Sequence, residues 1–198
     1  EQLREAEVRA VVSDSLEGGF IGLDLGAVRR RLEALPWVYR AQVRRRWPGT
    51  VSIAVVEQLP IARWGDEGFL NHEAEIFVSR SSGQWDALPL IYGPAGSERR
   101  LMRRYEDLSR LLAPAGLTIE RLEEDPAGQL DLRLNGGLRL RLGDRAITER
   151  VARFLELRAG ALSERRGQIA RVDMRYEQGA AVAFLEQEQV AGVTGEGL

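Results

Sequence analysis

His72 is the only histidine in the chain and so the only imidazole available for acid–base work near neutral pH. It lies in Asn71-His72-Glu73, between two short strand candidates, a setting that predicts a turn residue. A nucleophilic triad would have to use it as base, and no serine sits in a Gly-x-Ser-x-Gly elbow. A metal site would have to complete it with carboxylates alone, because there is no second His and no Cys. The lack of Cys also excludes disulfides and thiolate nucleophiles, and it suits an oxidising compartment as well as many cytosolic proteins. All 28 basic residues are arginine, which excludes a Schiff-base lysine and a P-loop lysine. Genomic base composition produces the same bias.

Carboxylates and glycines do no better. Glu123-Glu124-Asp125 is the densest acidic cluster, and paired carboxylates could serve a glycosidase. It precedes Pro126 and Gly128, however, and reads as a solvated turn. Gly18-Gly19 and Gly136-Gly137 lack the strand-then-helix context of a phosphate loop and read as turns. Arg44-Arg45-Arg46 beside Trp47 has the arginine-plus-aromatic character of a nucleic-acid or anionic-lipid contact. Alternation puts Arg44 and Arg46 on one face and Arg45 on the other, which fits a solvated strand end. Arg29-Arg30-Arg31 reads as a polar helix face. With 30 acidic and 28 basic residues the net charge is only -2, giving no broad pull toward nucleic acid or an anionic membrane. These readings predict no catalysis, no cofactor, no metal and no nucleic-acid partner.

The elements that carry these residues follow from periodicity. Val8, Val11, Val12 and Leu16 mark a helix over 4–16, stopped by Gly18 and Gly19. Asp24 is placed to cap a second helix, with Val28, Leu32 and Leu35 inward and Pro36 ending it. Strands over 37–44 and 51–56 flank the Pro48-Gly49 turn. Two strands make a marginal sheet, so a third is expected upstream of residue 1. Past a short joint at Leu59-Pro60, brief strands are expected near 61–64, 67–70, 75–78 and 88–91. An amphipathic helix spans 98–112 with Leu101, Tyr105, Leu108 and Leu112 on one face.

The strongest local pattern is Leu130 to Leu142, two alternating strands around Asn135-Gly136-Gly137, whose glycines accept positive φ. Asp144 opens a helix with Ile147, Val151, Phe154, Leu155 and Leu162 inward, ended by Gly167. A closing hairpin follows: Val172, Met174 and Tyr176 face one way, and Arg171, Asp173 and Arg175 the other. Glu177-Gln178-Gly179 turns it, and Ala180, Val182 and Phe184 return. Which face is core stays open at this level. Residues 186–198 lack periodicity and are expected to be a disordered tail. The apolar content of 44% supports a real core. The longest uncharged run, Ala87 to Ser97, is eleven residues with two prolines, too short to span a bilayer.

Leu35-Pro36-Trp37-Val38, Val43 through Trp47-Pro48, and Val56 through Trp64 together resemble a POTRA domain running into its neighbour in the FtsQ/DivIB family of cell-division proteins. Ile91 through Ser97, Arg150 through Leu157, Val172-Asp173-Met174-Arg175-Tyr176 and Gly179 through Val182 agree with it. The likeness covers roughly 4–185. It implies an α+β fold: a small POTRA domain over 1–59, two helices against a three-stranded sheet whose first strand is missing here. A larger mixed β-domain with two helices follows over 60–185.

The resemblance further implies the periplasmic part of a single-pass inner-membrane protein at the septum, with its cytoplasmic tail and membrane helix upstream of residue 1. It implies no enzymatic activity and a divisome scaffold that binds FtsB and FtsL, linking early components to septal peptidoglycan synthesis. Family members bind FtsB by strand addition, which implies a site at Arg175, Tyr176, Gln178, Gly179, Val182 and Phe184. In that site Tyr176 and Phe184 would be apolar anchors and Arg175 a carboxylate fork; Phe184 stands where some relatives have Trp. Arg40, Val43 and Arg45 would form a recruitment face on POTRA. The competing reading of Tyr176, Val182 and Phe184 is core packing, which stands level with docking for Val182 and behind it for Tyr176 and Phe184. The competing classes are a peptidoglycan-binding module or wall hydrolase, and a POTRA-type chaperone of outer-membrane assembly. Trp37, Trp47, Trp64 and Trp85, scattered along the sequence, do not form the clustered aromatic platform a wall-binding groove would need.

Overall fold

A computed structural model describes residues 5–13, 22–66, 68–78 and 85–185. The chain divides into two compact units, 1–91 with 95–102, and 92–94 with 103–198. The expected stop at Gly18-Gly19 and the expected tail at 186–198 lie outside the described residues. The first unit begins with helices α1 (Glu5–Ser13) and α2 (Leu25–Glu33) and strands β1 (Val38–Arg46) and β2 (Thr50–Glu57), paired antiparallel. Asp24 caps α2 as its position predicts: its Oδ1 accepts from the N–H groups of Gly26 and Ala27 at 2.8 and 3.0 Å. Leu23, Val28, Leu32, Val38 and Ala41 form the small core, ringed by half-buried valines of α1, β1 and β2.

The same unit continues with β3 (Ala62–Trp64), β4 (Gly68–Leu70), β5 (Ile76–Val78) and β6 (Leu90–Tyr92). β4 lies between β3 and β5, both antiparallel to it, while β6 runs parallel to β3. His72 is exposed in the β4–β5 turn, its ring edge-on to Tyr39 at 5.1 Å. That turn is organised by buried Asn71, whose Oδ1 accepts from the Glu73 and Glu75 N–H groups at 2.9 Å each. Asn71 Nδ2 donates to Gln58 Oε1 at 3.0 Å, so the Leu59-Pro60 joint is held on both sides. Two of the four tryptophans meet in space: Trp37 lies 6.3 Å from Trp85, with Phe69 and Phe77 against the same ring. They pack on one another rather than forming an open platform.

The second unit contains a sheet in the order β7 (Ile119–Glu124), β8 (Leu130–Leu134), β9 (Arg139–Gly143), β10 (Ile169–Asp173), β11 (Ala181–Phe184). β9 and β10 are parallel and the other neighbours antiparallel. α4 (Ile147–Ala159) supplies the β9–β10 crossover, while the division between units falls within α3 (Glu98–Leu112). The leucine alternation sends Leu130, Leu132, Leu134, Leu140 and Leu142 to one face, each at most 2% exposed. Burial at this level contributes about 1.5–3 kcal/mol per side chain.

Two expectations are corrected here. Glu123 and Glu124 are not in a solvated turn but close β7, where Glu124 is 5% exposed and pairs with Arg104 at 3.8 Å. The closing hairpin is shorter in its strands and longer in its loop than alternation predicts. β10 stops at Asp173 and β11 begins at Ala181, so Tyr176 stands in a loop at 57% exposure rather than in line with buried Val172 and Met174.

Candidate partner-binding edge

β11 ends the strand order: β10 pairs with one of its edges, and no strand among the described residues pairs with the other. The Leu185 N–H donates inward to the Gln168 carbonyl at 2.7 Å. By alternation along an extended strand, the N–H groups of Val182 and Phe184 face the open edge. Cross-strand pairing settles the side chains. Val182 sits opposite buried Val172, which puts Val182 and Phe184 on the core face, both half-buried. Ala181 and Ala183 sit opposite Asp173 and Arg171 on the outer face. The Arg165 guanidinium covers the Phe184 ring at 3.7 Å.

The 174–180 loop brings Arg175, Tyr176, Gln178 and Gly179 to the surface beside this edge, all exposed. A cleft of about 520 Å³ is lined by Tyr176 through Ala181. Arg175 is already engaged: Nε and Nη2 form a fork on the Asp173 carboxylate at 2.9 and 2.7 Å. That hydrogen bond, opposed by burial, holds the Asp173 carboxyl below its ordinary range. The depressed value means that the pair stabilises the fold above the ordinary carboxylate pKa and that this contribution is lost as pH falls through the lowered one.

Two residues that sequence reasoning placed in a family motif but not in the site build the loop. Arg153, on α4, donates from Nη2 to the Met174 and Tyr176 carbonyls at 3.1 and 2.7 Å and from Nη1 to the Glu177 carbonyl. Arg150, one turn earlier on the same face, donates from Nη2 to the Arg175 carbonyl at 3.2 Å and from Nη1 to the Leu142 carbonyl. Gly143 makes room for them. Its φ is +77°, and a Cβ there would stand 2.6 Å from Arg150 Nη1 and 3.2 Å from Arg175 Cγ. The available signal was two arginines three apart beside the apolar stripe of α4, which without the fold looks like any solvated helix face.

The three POTRA candidates do not share a face. Val43 packs against the small core, and Arg45 turns back to the Leu23 carbonyl at 3.0 Å. Arg40 projects from the opposite side, beside the Tyr39 ring. Among the described residues no group of three or more His, Asp or Glu could hold a metal ion, and no helix is long and apolar enough to cross a membrane.

Comparison with known families matches both halves. The POTRA domain of FtsQ type matches residues 1–58, and the C-terminal part of cell division protein FtsQ/DivIB matches 62–175. The chain belongs to the FtsQ/DivIB family. Cell division protein FtsQ of Thioalkalivibrio sp. (strain K90mix) is 34% identical over 85% of the chain and 70% of that protein. FtsQ of Cellvibrio japonicus is 32% identical over 96% of the chain and 59% of its own length, and FtsQ of Xanthomonas campestris pv. campestris 35% identical over 89% and 63%. The chain thus spans from under two thirds to about 70% of these relatives. Membership makes this a cell-division protein of a family that is not an enzyme family, working with protein partners of the division machinery. It also accounts for the α+β architecture, a POTRA domain followed by a mixed β-domain.

Proposed function

We propose that this chain is the periplasmic part of a divisome scaffold that captures FtsB, together with FtsL, by strand addition on β11 and has no catalytic activity of its own. The observation that carries the reading is the edge of β11 that no described strand pairs with, beside the exposed 174–180 loop. An extended partner segment would accept from the outward N–H groups of Val182 and Phe184, and the backbone ladder would supply affinity. Tyr176, at 57% exposure, would add an aromatic anchor at the entry to the edge. Gln178 and Gly179 line the adjoining cleft. Arg175 would act as a fork already oriented by Asp173, sharing its remaining donor capacity with a partner carboxylate. In this reading residues 1–59 act as the POTRA domain, with β1 as a recruitment strand on which Arg40, Val43 and Arg45 lie, and 60–185 act as the β-domain. The chain would sit in the periplasm at the septum, tethered by an inner-membrane helix from a longer protein.

The test is binding of this chain to the periplasmic segment of FtsB. Tyr176→Ala is expected to cost about 2 kcal/mol of binding, with Phe184→Ala costing a similar amount. Thermal unfolding of each variant separates lost docking from lost folding. Folded Tyr176→Ala and Phe184→Ala proteins that both keep unchanged FtsB affinity would remove the 174–184 segment from the interface.

A further inference from the structure

The outer face of the second unit's sheet carries arginines in a single line. Arg121 of β7 sits opposite Arg133 of β8, Arg133 opposite Arg139 of β9, and Arg139 beside Arg171 of β10. Strands stand about 4.8 Å apart, so four guanidinium stems rise along a line of about 14 Å. Like charges directly across strands destabilise a sheet, and this row repeats the arrangement three times. Half of it is neutralised within the chain: Glu123 holds Arg121 at 2.9 Å, and Glu120 holds Arg133 at 3.5 Å. One step along the strands, Asp131 holds Arg141 at 3.2 Å. Arg139 and Arg171 are both exposed and have no carboxylate within ion-pair distance among the described residues. They border a cleft of about 410 Å³ on this face. Beyond Arg171 the row ends at Ala183, a small residue that leaves its flank open.

We propose that this row is a docking surface for an acidic helix of a protein partner, anchored on Arg139 and Arg171. Glutamates three and four residues apart on a helix stand about 5–6 Å from one another, close to the strand spacing, so such a helix laid across the strands offers one carboxylate to each arginine it crosses. Each arginine has the planar fork that carboxylates fill bidentately. Glu123 and Asp131 border the same cleft. A compact polyphosphate or a continuous anionic lipid surface would have to approach those two carboxylates, whereas side chains at fixed intervals avoid them. The surface is a sheet face rather than the β11 edge, so it stands or falls separately from the strand-addition reading.

The experiment uses fluorescence anisotropy on this chain with two short helical probe peptides, one carrying glutamate at every fourth position and one carrying glutamine there. The glutamate peptide is expected to bind, and to weaken as NaCl rises from about 50 to about 300 mM. The double variant Arg139→Gln, Arg171→Gln should lose about tenfold or more in affinity, while Tyr176→Ala should not change it. Circular dichroism and a thermal melt control for folding; the double variant should melt no lower than the parent, because it relieves like-charge pairing. Should it fail to fold, Arg139→Lys with Arg171→Lys keeps the charge, removes the fork and is expected to bind at an intermediate level. Equal binding of both peptides, or an unchanged affinity in the folded double variant, overturns the proposal. So does tighter, arginine-dependent binding of pyrophosphate or of phosphatidylglycerol vesicles.

Discussion

Arg153 directs its guanidinium at backbone carbonyls rather than at a carboxylate, and the shape of the candidate site depends on that choice. Four carbonyls of a loop that would otherwise face water converge on one rigid fork. Asp173 completes the bend from the other side, accepting from the Arg175 N–H at 3.1 Å as well as from its side chain. Arg153→Met keeps the aliphatic stem and removes the donors. It should cost about 2–3 kcal/mol of stability in chemical denaturation. Amide exchange across 174–180 should rise, and FtsB binding should weaken although residue 153 need not touch the partner. Unchanged exchange in that loop would show that other contacts hold it.

At the scale of elements, β11 has two inequivalent edges, and proline distinguishes them. Val182 points its N–H outward, so Val182→Pro deletes a bond that only a partner would make, at an edge position where proline is tolerated. Ala183 points its N–H toward β10, so Ala183→Pro removes a ladder bond. The melting temperature of Val182→Pro should stay within about 5 °C of the parent while FtsB binding falls about tenfold. Ala183→Pro should unfold the β10–β11 pair. Equal effects of the two on the melt would contradict the assigned alternation. Elements also show where periodicity misleads. α3 and the β8–β9 hairpin were legible because an unbroken apolar period ran through each. β7 was not, because an irregularity between Ile119 and Arg121 shifts its phase and leaves Ile119 and Leu122 three apart. Its acidic end looked solvated because the cation that pairs with Glu124 is Arg104, distant in sequence. Tyr176 continued a period of two that the backbone abandons after Asp173.

For the molecule as a whole, the compact unit that runs through residue 91 crosses the joint between the segments matched by the two family models. Trp37 explains why: it follows α2, yet its ring meets Phe69, Phe77 and Trp85 from beyond the joint. Aromatic pairs at these distances contribute beyond their buried area. Trp37→Ala should therefore cost about 2–4 kcal/mol. In hydrogen exchange of the whole chain, protection should fall together in β1–β2 and in β4–β5. Loss confined to one of these pairs would mean that the segments fold independently.

By itself the sequence determined the order and type of most elements, the α2 cap, the leucine core strands and the family. Each of these rests on local periodicity, on one residue's conformational preference, or on motifs in a recognisable order. Only the tertiary structure decided which hairpin face is core, that β11 is an edge among the described strands, that Arg175 is pinned by Asp173, and that four arginines align. Those outcomes depend on strand order, register and the reach of α4 side chains. Such long-range pairings arise only when the chain closes on itself, and no window of neighbouring residues encodes them.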